Sequence, residues 1–164
     1  MTGFQRFAWV ALFAALGACA TGSGGAGPDS TADEVQSVSL GEGEQTLGRV
    51  AEANIPLEQC GMILWTLEAQ RPVPVFRFIS GKEGSIVLGL RPVSLDLQSF
   101  SGASDFGVFE NQLFRSDDGL EVEITARFGV GFSGGAYLES GLIKVRDPSG
   151  WSVITPAAGI AGCR

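Results

Sequence analysis

Beyond Asn54 the chain predicts an all-β fold, a small antiparallel β-sandwich or barrel of about seven or eight strands. Three observations carry this. Short β-prone runs recur roughly every ten residues with turn residues between them. Two of the runs alternate apolar and polar residues strictly, and none sustains the 3.6-residue apolar period of a packed helix.

Taken in order, Gln59–Glu68 (QCGMILWTLE) is apolar enough to be buried on both faces, with Trp65 beside Met62, Ile63 and Leu64 in the core. Val73–Ile79 carries Pro74, which cannot donate to a ladder and restricts the strand to an edge or a bulge. Its one charge, Arg77, is expected to pair with Glu68 or Asp96 or to guard an exposed edge. Ser85–Leu90 follows, then Pro92–Gln98, in which Val93, Leu95 and Leu97 alternate with Ser94, Asp96 and Gln98. Phe106–Phe114 and Leu120–Phe128 make a hairpin around Ser116-Asp117-Asp118-Gly119, where Gly119 tolerates a positive φ. In its second strand Leu120, Val122, Ile124, Ala126 and Phe128 point one way, and Glu121, Glu123, Thr125 and Arg127 the other. Tyr137–Arg146 and Trp151–Thr155 make a second hairpin around Asp147-Pro148-Ser149-Gly150. Pro156–Arg164 is small and apolar and is expected to run along the domain, pinned through Cys163; Thr46–Asn54 is expected as a short helix.

Composition excludes several chemistries. The chain has 11 Lys+Arg against 18 Asp+Glu, a formal net charge of −7, and no His. A nucleic-acid binder needs a positive field to displace counterions, so nucleic acid is not an expected partner. Without His there is no Ser-His-Asp or Cys-His nucleophile and no His-ligated metal. Gly129-Val130-Gly131-Phe132-Ser133-Gly134 matches G-x-G-x-x-G, but a strand-like segment follows it where a phosphate site needs a helix N-terminus. It reads as a glycine-rich connection or a bulge, and no nucleotide is expected. Acid–base chemistry would fall to carboxylates. Asp117 and Asp118 sit in a turn, and Glu121 and Glu123 share one strand face, which reads as solubility rather than catalysis. No catalytic residue, metal site or cofactor is expected.

The amino terminus carries an address. Arg6 is followed by Phe7–Leu16, ten apolar residues, the length of a signal-peptide core and about half of what spans a bilayer. The run closes on Leu16-Gly17-Ala18-Cys19, which resembles the lipobox of bacterial lipoproteins, with Gly17 the departure from the usual Ala or Ser. The resemblance covers residues 1–19 only. It implies cleavage before Cys19, acylation of Cys19 (palmitate among the chains) and anchorage in the cell envelope. Ala20 after the cysteine, rather than Asp, implies outer-membrane sorting, with the domain facing the periplasm. Ala18-Cys19-Ala20 also fits an ordinary secretory cleavage site, which would release a soluble periplasmic protein.

Three segments follow: a signal peptide over 1–18, the lipidated Cys19 with a flexible acidic linker to residue 45, and a single β-rich domain over 46–164. Residues 20–45 are rich in Gly, Ser, Thr and acid, and as a Gly-rich coil they span roughly 28 Å r.m.s.. With Cys19 acylated, Cys60 and Cys163 remain, and in an oxidising compartment they are expected to form a structural disulfide. The alternative is two buried thiols.

The function expected is that of a lipid-anchored binding or structural accessory, partnered with the membrane and with an envelope protein, and not an enzyme. The alternative is a small periplasmic inhibitor of a hydrolase. Ser133-Gly134-Gly135-Ala136-Tyr137 is similar to a Ser-Gly segment of lipid-anchored lysozyme inhibitors, a span too short to carry any residue role across. A carboxylate-based enzyme ranks third.

Overall fold

The computed structural model describes residues 46–67 and 71–164, and over these it contains no helix. Nine strands follow one another: β1 (Leu47–Gly48), β2 (Cys60–Thr66), β3 (Pro74–Ile79), β4 (Gly84–Leu88), β5 (Arg91–Asp105), β6 (Val108–Arg115), β7 (Glu121–Phe132), β8 (Gly135–Arg146) and β9 (Ser152–Cys163). Each strand from β2 to β9 pairs antiparallel with the next, and β9 returns to pair with β2. The sheet therefore closes on itself as an eight-stranded up-and-down barrel, with β1 as an extra strand beside the end of β4. Of the two architectures the alternating pattern allowed, this is the barrel.

Closure pairs every strand from β2 to β9 on both sides, so Val73–Ile79 is not at an edge. Pro74 is tolerated because it opens β3 at a bulge in that strand, where Val75 is the extra residue between the Leu64–Phe76 and Trp65–Pro74 pairs. Among the described residues Arg77 forms no ion pair, and Asp96 is not its partner; its Nε donates to the Asn54 carbonyl oxygen at 2.8 Å, while Glu68 lies outside the described residues. That carbonyl belongs to the stretch expected as a helix. Instead, β1 pairs with Val87 and Leu88, Val50 donates its N–H to Pro74, and the chain lays Ile55 against Ile63 and Ile79. This covering strip is why β2 reads as buried on both sides.

The interior is filled by side chains. Met62 and Leu64 face Phe78 and Phe76 across the β2–β3 ladder, and Ile86, Leu95, Val122, Ile124 and Ile143 complete the ring. Phe114 lies among them, edge-on to Phe76 at 5.3 Å and to Phe78 at 5.1 Å. A Cβ on Gly84 would come within 3.3 Å of the Phe114 ring, so the glycine makes its space. Large rings on β3 and β6 require small residues elsewhere in so narrow a barrel. β9 supplies them: Ala157 and Ala161 are fully buried, and Gly159 sits between them opposite Leu64. The segment expected to run along the domain is thus the strand that closes it.

Both ends are shut. At one, the β5–β6 turn brings Phe106 against the core, and a Cβ on Gly107 would lie 1.9 Å from Ser80 Oγ in the β3–β4 turn. Phe106 itself is in the turn at φ 55°, and not the first residue of the strand expected over Phe106–Phe114. At the other end Trp151 packs on the core from the β8–β9 turn. There Asp147 Oδ1 accepts from the N–H groups of Ser149 and Trp151 and from the Ser149 hydroxyl. Cys60 and Cys163 are direct ladder partners, and a disulfide joins them at the foot of the β2–β9 seam.

Candidate functional site

The β-turn and strand acids do not converge on a reaction centre. Glu121 stands between its two ladder partners and pairs with both, with Arg115 and, at 3.0 Å, with Arg146. The Arg115 hydrogen bond first, then that of Arg146, holds its carboxyl below the usual carboxylate range. Asp118 is lowered too, first by the Ser116 hydroxyl and then by Arg91, its ion-pair partner at 2.7 Å. Asp147 is lowered chiefly by the Ser149 hydroxyl. All three are shifted away from what a general acid requires. Among the described residues no group of three or more Cys, Asp or Glu is placed to hold a metal ion.

The glycine motif is also structural. Gly129 and Gly131 lie at a bulge of β7, Ser133-Gly134 turns the chain with Gly134 at φ 84°, and β8 follows directly. Cys60 and Cys163 are brought together as expected. Cys19 lies outside the described residues.

What the barrel does offer is a divided outer wall. Over β5–β8 a concavity of about 460 Å³ is lined by Ser99, Ser101, Asn111, Glu121, Glu123 and Arg146 together with Phe100 and Leu113, a mixed surface that carries charge. On the far side, where β9 joins β2 and β8, the wall is apolar. One shallow concavity of about 300 Å³ is formed by Trp65, Leu67, Pro72, Tyr137, Ala158 and Ile160. A second, of about 330 Å³, shares Trp65 and Ile160 and extends to Ile55, Ile63 and Phe132. The alternation that turns Met62 and Leu64 inward turns Ile63 and Trp65 outward, and Tyr137, Ile160 and Ile63 lie in one cross-strand row. Trp65 is therefore half-buried on this wall and not in the barrel core where its neighbours had placed it. The rings of Phe132 and Tyr137 approach to 5.2 Å.

Three of the nine exposed large apolar side chains among the described residues, Leu67, Phe132 and Tyr137, line these concavities, and Leu142 and Ile154 lie further along β8 and β9, opposite Pro156 and Lys144. Contiguous exposure of that kind marks an interaction surface. Sequence reading missed it because the wall is assembled from four separate strands, none of which is unusual alone. The available signal was the apolar pairing partners left over once the inward set is assigned. Gln112, buried within the β6 wall, was also not anticipated; its Oε1 accepts from Phe109 N–H. No protein-family model, curated protein or solved structure matches the chain.

Proposed function

We propose that this protein is a lipid-anchored accessory of the bacterial cell envelope that acts by surface contact, through the outer wall of its barrel, and not by catalysis. One observation carries the contact reading: the interior is occupied by Phe76, Phe78 and Phe114, while a wide apolar surface faces outward along the seam. An eight-stranded barrel either fills its interior or keeps a ligand cavity there. With side chains in the interior, recognition falls to the wall.

The address rests on Leu16-Gly17-Ala18-Cys19 and its lipobox resemblance. The Cys60–Cys163 disulfide supports it, since such bridges persist in oxidising compartments. Anchorage in the outer membrane with a periplasm-facing domain follows from Ala20 after the acylated cysteine.

Intact-mass measurement of the membrane-extracted protein, with and without reductant, tests this. The expected species begins at Cys19, carries acyl chains and gains two protons on reduction, and Cys19→Ala shifts the protein to the soluble fraction. A water-soluble, unacylated species would overturn the anchor. One-to-one binding and inhibition of a cell-wall hydrolase would replace the accessory role with that of an inhibitor.

A further inference from the structure

We propose that the seam wall is a lipid-docking face, which seats Trp65 and Tyr137 in the headgroup–acyl boundary of the membrane that holds Cys19; the proposal rests on the acylation of Cys19.

The residue types fit that boundary. Trp and Tyr combine an apolar ring with a polar handle and concentrate where hydrocarbon meets headgroup. Here they stand on neighbouring stretches of wall bridged by Ile160, with Leu67 on one flank and Phe132 on the other. No described Asp or Glu lines either apolar concavity, and the one charged lining residue is Arg164. Glu139, on the same strand as Tyr137, leans away over β7: a Cβ on Gly129 would lie 2.3 Å from its Oε1. The Arg91–Asp118 ion pair lies off this wall, and the pairs of Glu121 reach β8 only at Arg146, the end of the strand far from Tyr137. The wall that would enter the interface is therefore the one with least charge to desolvate.

Chain length supports the same occupant. Residues 20–45, 26 in all, separate Cys19 from the first described residue. Fully extended they reach at most about 90 Å, and as a coil they span roughly 28 Å. Eight strands spaced about 4.8 Å apart and tilted about 40° make a backbone cylinder roughly 16 Å across. Any side of the barrel can reach the bilayer on that tether. Because the acyl chains have already brought the domain there, docking is intramolecular, at an effective concentration of order millimolar, and modest apolar burial suffices. A partner strand is not an occupant that this wall invites, since β2, β8 and β9 are each paired on both sides.

The experiment uses the acylated full chain in phosphatidylcholine vesicles. An environment-sensitive dye is placed on Leu67→Cys or Leu142→Cys at the seam wall, and on Ser94→Cys on β5 as control. Reconstitution is expected to raise dye emission at least threefold at 67 and 142, with quenching by acyl-chain nitroxide lipids and no change at 94. Adding Tyr137→Ser to the Leu142 chain is expected to remove most of that response while the protein still floats with the vesicles. A protein that floats but keeps its wall dyes water-exposed refutes docking and leaves the anchor standing. A protein that does not float refutes the anchor. Emission that rises without lipid, alongside a doubled mass, assigns the wall to a second copy; emission that rises only when another protein is added assigns it to a protein partner. Either result overturns lipid docking.

Discussion

Replacing both Cys60 and Cys163 by Ser should lower stability by up to about 4.7 kcal/mol without changing the fold. The bridge spans a sequence separation of 103, and the chain-entropy relation for a loop of that size at 25 °C gives this figure. The effect lies in the unfolded state: with the bridge intact, nearly the whole barrel sequence is a closed loop even when unfolded. The folded seam has its own hold, since β2 and β9 pair in unbroken register from Cys60–Cys163 to Thr66–Ala157. The far-ultraviolet spectrum should therefore be retained. Because domains are typically stable by about 5–15 kcal/mol, a large fraction of the total is at stake. Urea unfolding followed by tryptophan fluorescence should show a lower midpoint and a steeper slope, because the uncrosslinked unfolded chain exposes more surface. The melting temperature should fall by roughly 15–20 °C. A loss below about 1 kcal/mol, with the slope unchanged, would refute the reasoning, since it would mean that the unfolded chain keeps its ends together without the bridge.

Three further outcomes follow from particular contacts. Phe114→Ala should cost about 3–5 kcal/mol in urea unfolding, because the ring is fully buried against Phe76 and Phe78 and the surrounding ladder cannot collapse into its space. Glu121 should titrate below its ordinary value of 4.5 in carbon-detected NMR, and Arg115→Met should move it back towards that value. Its contribution to stability is therefore complete above about pH 4.5 and is lost as the pH falls through the lowered folded value; a midpoint at or above 4.5 would contradict the paired geometry. Finally, the chain's net charge of −7 opposes approach to an anionic surface. Vesicles rich in anionic lipid should weaken the dye response at low salt and restore it at high salt, the reverse of polybasic recruitment.

Much of the fold was legible where local chemistry and tertiary role agree. Val93 and Leu95 alternate with exposed residues, and Leu120, Val122, Ile124 and Ala126 with exposed or half-buried ones, as a half-buried wall demands. Gly119 and Gly150 take the positive φ their turns require. Legibility failed where two roles compete. Phe106 was expected to open the strand Phe106–Phe114 and sits instead in the turn at φ > 0, which a bulky residue disfavours; its ring packs on the core at the barrel mouth, and that burial outweighs the local cost. Trp65 was assigned to the core because an unbroken apolar run does not reveal its inward face. The small residues of β9 have weak strand propensity and acquire their meaning only from the rings they face across the barrel.

That last strand meets two demands with alternate residues. Inward, Ala157, Gly159 and Ala161 must be small so that β9 can fit beside Leu64 and the phenylalanine cluster; a Cβ on Gly159 would lie 2.0 Å from the Ile63 carbonyl oxygen, a backbone atom that no side-chain rotation can clear. Outward, Ala158 and Ile160 continue the apolar wall between Trp65 and Tyr137. The two roles should separate experimentally. Gly159→Ala should cost about 1–3 kcal/mol by forcing the seam apart, while the wall keeps its residues and the folded fraction still docks. Tyr137→Ser, at a half-exposed position, should change stability by no more than about 0.5 kcal/mol and yet lose the lipid response. If Tyr137→Ser instead destabilised as much as Gly159→Ala, the wall would be a part of the core's support and the division between packing and contact drawn along β9 would fail.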